Sequence, residues 1–385
     1  MTSPADHLIL RQRFAEIARS VVLAEVAAIE DYHWPQKSLQ ALADSGLLPL
    51  AIPKRFGGLG AGMTGMVIAG EELGRISPSA SLCYCMHVVG SAVIAAKPSE
   101  LQVEKYLLPI VQGRHLTTLA LSEPGSGGHF YEPGSRLERA GDHYLVHGAK
   151  NFVTNGGQAD SYVISTLSEQ GEAAPGVFNC LMLDRDTSGM EWEGSWRGLG
   201  MRGNSSINLH LDGARVPLGN LLGEAGDQNW YVFEVVAPYF LIAMAATYLG
   251  LAQGALDLAM DHLKQRRYAH SGQSLAEDSI IQHRLGELWI AVQQARLLIF
   301  HAAERGDLGN PDALPFILSA KVAAAEVAVR TTNEALTFTG GSGYRDNSLL
   351  WARLRDARAA DVMAPLTDVL KTWTGRALLG QPLLS

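Results

Sequence analysis

Cysteine is scarce in this chain. Its 385 residues include three, Cys83, Cys85 and Cys180; an odd number without metal-ligand spacing argues against a disulfide framework or a cysteine-held metal and suits a reducing cytoplasm. Positive charge is also short: the net charge is −8 and the isoelectric point near 5.8, which argues against nucleic-acid binding by phosphate neutralisation. The start, Met1 to His7, lacks a basic stretch followed by an apolar one, so no leader peptide is expected. One apolar run, Val235 to Ala252, has the length of a membrane span, but it carries Pro238, is rich in alanine and lies between Glu234 and Asp257. Central helices of large bundles have the same character, so it is read as core and no span is expected.

What is present points to a globular chain of two or three domains, since 385 residues at 47% hydrophobic content supply ample core. Apolar residues at helical spacing predict two helices between residues 7 and 50, and helices again over 63–75 and 80–96. Ile52 to Gly60 is glycine-rich but lacks the preceding strand and following Lys-Ser/Thr of a phosphate cradle, so it reads as a connector. His87 lies on the 80–96 helix among Cys83, Tyr84, Val88 and Val89, where a satisfied core histidine competes with a catalytic one. Met86 and Met363 read as fillers of core gaps.

Alternation sets in near residue 115, with strands expected at 117–121, 144–150, 161–166, 177–183 and 206–212. After Gly223 four long helical segments, 230–267, 280–306, 312–338 and 348–379, predict an antiparallel bundle. The expected domains are therefore a helical 1–114, a β domain 115–221 and a helical bundle 222–385.

Leu119 to Gly157 organises the rest. A strand-like run breaks at Ser122-Glu123-Pro124-Gly125-Ser126-Gly127-Gly128, and the stretch closes on Asn151-Phe152-Val153-Thr154-Asn155-Gly156-Gly157. Two strand ends thus offer small hydroxyls, backbone N–H groups and bare main chain, which suits a flat ring with polar edges such as a flavin. Ordinary turns have the same composition.

In order along the chain, Ile52-Pro53 to Gly60, Glu71 to Arg75, Leu121 to Gly128, Phe152 to Gly156, Gly198 to Gly203, Gly340 to Tyr344 and Arg355 to Arg358 resemble the signatures of the acyl-CoA dehydrogenase superfamily. The likeness covers nearly the full length. It implies that superfamily's fold, an N-terminal α-helical domain, a central β-barrel-like domain and a C-terminal four-helix bundle, in a homotetramer or homodimer that binds FAD. It implies flavin-ring contacts at Leu121, Ser122, Phe152 and Thr154, pyrophosphate contacts at Arg266 or Arg267, and adenosine contacts at Thr337, Gly340 and Gly341 that serve a neighbouring subunit. Gly128 falls at the substrate.

The departures from the family carry as much information. Relatives remove an α-proton with a glutamate while hydride goes to the flavin; the two places they use for it correspond to Ala364, followed by Pro365, and to Phe240. Arg266 to His270 and His129 also differ from the usual residues. A positioned general base contributes about 10²–10⁴-fold, so unusual chemistry is expected. Glu234, Asp361 and His87 are candidate replacements, although pairing of Asp361 with Arg358 is an equally simple role. The resemblance implies an FAD oxidoreductase acting on an acyl thioester of CoA or a carrier protein, with an electron-acceptor flavoprotein as partner. The alternatives are a monooxygenase of the same fold using FAD or FMN and a flavin reductase, and a non-catalytic flavin- or acyl-binding protein.

Overall fold

The computed structural model describes residues 4–168 and 177–384; the first three residues, part of the start from which no leader was expected, lie outside the described residues. Helices open the chain: α1 (Pro4–Ile17), α2 (Leu23–Glu30), α3 (Gln36–Asp44), α4 (Gly62–Ile76) and α5 (Pro78–Ala96), then the short α6 (Glu100–Gln102) and α7 (Leu108–Val111). Of the two helices expected before residue 50, the first runs unbroken from Pro4 to Glu30, α1 and α2 being joined by a π-helical turn over Ala18–Val22, and the second is α3, with Pro35 at its start. The Ser77 hydroxyl accepts from the Ala80 N–H at 3.3 Å, and Pro78 follows it in the first turn. Both features favour a helix start, and α5 is apolar and buried for nearly all of its length.

Among the described residues the β region has seven strands, β1 (Thr117–Ala120), β2 (Arg136–Ala140), β3 (His143–Val153), β4 (Ser161–Leu167), β5 (Phe178–Asp184), β6 (Met190–Glu193) and β7 (Ile207–Pro217). They form two sheets, ordered β1-β4-β5 and β2-β3-β7-β6. Strands β1 and β4 run parallel with Leu119 opposite Val163, and the other pairs are antiparallel. Strands β2 and β6 were absent from the sequence reading: β2 is rich in charge, and the alternation of β6, Met-Glu-Trp-Glu, is only four residues long.

The bundle follows as α8 (Gln228–Trp230), α9 (Ala237–Gln265), α10 (Ser279–Asp307), α11 (Ala313–Thr339), α12 (Leu349–Val362) and α13 (Thr367–Leu378). The single helix expected over 348–379 is broken at 363–366. Pro365 has no N–H to donate and biases Ala364 away from helix. The apolar stretches of α5 and of Gln228–Gln265 are 94% and 83% buried inside the protein, so packing accounts for their hydrophobicity. Helix α9 approaches α4 so closely that a Cβ on Gly250 or Gly254 would run into the carbonyls of Glu71 and Arg75.

Candidate active site

The ends of β1 and β3, the first turns of α9 and the break between α12 and α13 converge on one cavity of about 540 Å³. Leu121, Ser122, Phe152 and Thr154, the four residues expected at a flavin ring, all line it. The strand ends are tied together: the Asn151 N–H donates to the Ser122 carbonyl at 2.8 Å and the Thr118 hydroxyl to the Thr154 carbonyl at 2.9 Å. Thr154 Oγ1 lies 3.2 Å from Ser206 Oγ, so two hydroxyls stand side by side at the wall.

Backbone strain gathers here. Of the five non-glycine residues with positive φ among the described residues, four surround this wall: Phe152 (55°), Asn155 (60°), Met201 (51°) and Ser205 (48°). Such conformations each cost on the order of 1–3 kcal/mol and persist where the surroundings enforce them. Asn155 is held by Trp34 Nε1, which donates to its Oδ1 at 2.9 Å, and by its own Nδ2, which donates to the Cys83 carbonyl at 2.9 Å. The Met201 N–H donates to Asp356 Oδ1 at 2.7 Å, and Trp196 Nε1 donates to the Met201 carbonyl at 2.7 Å. Gly200 has no room for a Cβ against the Arg355 carbonyl. The 355–358 motif thus fixes the 198–203 loop against α12. Burial pushes the Asp356 carboxyl up to about 7, with the Glu30 charge adding to the effect.

Phe152 is 65% exposed for all its constraint, with its ring 6.5 Å from that of Trp196 in an edge contact. A Cβ placed on Gly125, Gly127 or Gly128 meets nothing within 4 Å. Bare main chain therefore faces open space where β1 ends. Gly125 and Gly127 line the cavity, and Gly128 sits just beyond its wall.

The two positions at which the family resemblance implies a base, Ala364 and Phe240, line the cavity. One carboxylate lines it, that of Glu123, and it is committed elsewhere. Glu123 pairs with buried Lys150, accepts from the Ser135 hydroxyl at 2.7 Å and accepts from the Gly134 N–H at 2.6 Å. Burial alone would raise its pKa, but the Lys150 ammonium and these hydrogen bonds hold the carboxyl below its ordinary range. It is a poor proton acceptor.

The proposed replacements for the base are not in the cavity wall. His87 is wholly buried; its Nδ1 accepts the Thr117 N–H at 3.0 Å, which leaves Nε2 to donate to the Leu48 carbonyl at 3.2 Å. Burial lowers its pKa to about 3, so it is a neutral core histidine, and the catalytic role expected from the sequence is corrected accordingly. Glu234 is exposed, and Asp361 pairs with Arg358 at 3.1 Å. Met86 and Met363, read as core fillers, both line the cavity.

The remaining expected cofactor contacts lie at the other end of the bundle. Helix α9 is 29 residues long, about 43 Å at the helical rise, with Ala237 at the cavity and Arg266 beyond the opposite end. Arg266, Arg267, Thr337, Gly340 and Gly341 are all exposed there, around a small core that joins Leu263 to Phe338. They cannot reach this chain's own cavity. Sequence reasoning missed Trp196 and, although it read Gly198 to Gly203 as a signature, did not give Met201 a place at the cavity, because the groups that meet that loop come from distant segments.

Comparison with known proteins bears on the whole chain. Family models of the acyl-CoA dehydrogenase N-terminal, middle and C-terminal domains match residues 4–114, 118–214 and 232–379. A probable acyl-CoA dehydrogenase of Mycobacterium tuberculosis is 29% identical over 379 residues, covering 98% of this chain and 96% of the relative. A cyclohex-1-ene-1-carbonyl-CoA dehydrogenase of Geobacter metallireducens is 29% identical over 380 residues, 97% of this chain and 99% of the relative. The structure of butyryl-CoA dehydrogenase from Megasphaera elsdenii superposes with a TM-score of 0.91 at 25% identity, over 98% of this chain and 99% of that one. With all three domains matched in order, the chain belongs to the acyl-CoA dehydrogenase family of flavin-dependent oxidoreductases.

Proposed function

We propose that this protein is an FAD-dependent oxidoreductase that acts on an acyl thioester, carried by CoA or a carrier protein, without the glutamate base usual in its family. One observation carries the reading: the cavity wall holds Ala364 and Phe240 at the two base positions, and its one carboxylate, Glu123, is tied up by Lys150 and Ser135. Flavin suits the wall. Exposed Phe152 offers a face for the ring, Ser122 and Thr154 offer hydroxyls for its polar edge, and the open glycine loop leaves room for close approach. Bound there, the flavin would accept a hydride. Leu82, Met86, Phe130 and Met363 make the facing wall apolar, which excludes water and fits an acyl chain.

The exposed set from Arg266 to Gly341 would complete the FAD site of a second copy, and exposed Ile290 and Leu297 on α10 are consistent with such an assembly, a homotetramer or homodimer. A cytoplasmic location and an electron-acceptor flavoprotein belong to the same reading. A second reading is favoured by the absence of a free carboxylate from the wall among the described residues: a monooxygenase, in which flavin reduced by a separate reductase would supply the oxygen chemistry.

Mixing the flavin-loaded protein with a panel of acyl-CoA and acyl-pantetheine thioesters in the absence of oxygen separates the two. Bleaching of the flavin supports the oxidoreductase. Product that forms only with a reductase and oxygen replaces it with the monooxygenase.

A further inference from the structure

Lys321 is a wholly buried ammonium on α11. Its Nζ donates to the carbonyls of Ala360 at 2.7 Å, Pro365 at 3.1 Å and Met363 at 3.5 Å. No carboxylate lies within ion-pair distance of it among the described residues. All three bonds go to the end of α12 and the break that follows it, which is the main chain directly behind the Met363-Ala364-Pro365 wall of the cavity. The last carbonyls of a helix have no partners within it, and a cation at that end interacts favourably with the helix dipole.

We propose that Lys321 is a positioning residue: its ammonium pins the Met363–Pro365 segment and so sets the shape of the cavity wall where relatives carry their base. This deepens the proposed function and rests on that reading of the cavity. The charge is costly to the fold, which argues that it is kept for the wall. Burial lowers the Lys321 pKa to about 8 from 10.5, against an opposing pull from Asp361. The folded chain therefore binds this proton less tightly than the unfolded one, and stability rises with pH between those values. The neutral amine keeps two donors for these carbonyls, and any opening that wets Lys321 restores its ordinary proton affinity, so the closed wall is favoured further as pH rises above about 8.

Other charged groups surround the site. On α12 these are the Arg358–Asp361 pair and buried Asp356; α9 brings Tyr248, whose hydroxyl donates to Met363 Sδ at 3.0 Å; Lys371 of α13 pairs with Glu326 of α11 at 2.8 Å, with Asp368 nearby. Asp356, raised to about 7, titrates before Lys321, and a Lys321 variant distinguishes the two.

The test is amide hydrogen exchange across residues 360–367 of the full-length, flavin-loaded protein between about pH 7 and 9. Protection is expected to rise about tenfold between pH 7 and 9 in the parent and to be low and flat with pH in Lys321→Met. Lys321→Arg, whose charge is not lost in this range, should abolish the rise of protection with pH. Protection in Lys321→Met within about twofold of the parent, or a flat profile in the parent, overturns the proposal. The parent series alone decides the matter if Lys321→Met does not fold. Failure to take up flavin would sink the proposed function while leaving the exchange result readable.

Discussion

Ala364→Glu puts a carboxylate back on a wall that has none free. The position faces the cavity, and its backbone is anchored from behind by Lys321 through the Pro365 carbonyl at 3.1 Å. Alanine accepts no proton, so in the parent the side chain at this position takes none from the substrate. A positioned general base is worth about 10²–10⁴-fold, equivalent to roughly 3–5 kcal/mol of barrier. The Lys321 ammonium favours the charged form of the new carboxylate, which is the form that takes up a proton. Stopped-flow absorbance of the flavin, with acyl-CoA and no oxygen, reads the reductive half-reaction directly. An increase of at least about a hundredfold over the parent is expected. A folded, flavin-loaded variant that reduces no faster than the parent would refute the placement of the cavity's chemistry at residue 364.

Three further outcomes follow from the same geometry. Phe152→Ala should weaken flavin binding about three- to tenfold by loss of ring stacking, measured by fluorescence titration, while thermal stability changes by less than about 0.5 kcal/mol because the ring is exposed. His87→Leu leaves the Thr117 N–H and the Leu48 carbonyl unpaired and should cost about 2–5 kcal/mol in urea unfolding without changing turnover per folded molecule. Because the folded His87 pKa lies near 3 and the ordinary value is 6.5, the unfolded chain binds its proton first. Its contribution is lost as pH falls from 6.5 toward 3, and the acid limb of the stability curve should be shallower in the variant. Glu123→Gln leaves the Lys150 ammonium buried without its charge partner and should destabilise by about 3–5 kcal/mol, seen as a lower unfolding midpoint.

Much of this site was legible because backbone chemistry leaves a compositional trace. Hydroxyls and glycines at two strand ends marked Ser122 and Thr154, and the family resemblance marked Ala364, all three of which line the cavity. Helix and strand types followed from periodicity wherever one face is buried, and failed for β2 and β6, where little is. The break at Pro365 was written in the chain but was read through, because the apolar spacing on either side continues. His87 misled because a sequence does not reveal which groups meet a ring. Both of its nitrogens are taken by backbone from distant segments, Leu48 and Thr117. Lys321 went unread for the same reason, its three acceptors lying on a different helix and the break beyond it.

The most direct measurement is a crystal structure of the flavin-loaded protein with a non-reactive acyl thioester bound. The account predicts the flavin ring against Phe152 and Thr154, the acyl group between it and the Met363–Pro365 wall, and no carboxylate within hydrogen-bond reach of the α-carbon. A carboxylate poised there, from Glu123, Asp361 or a second copy of the chain, would contradict it.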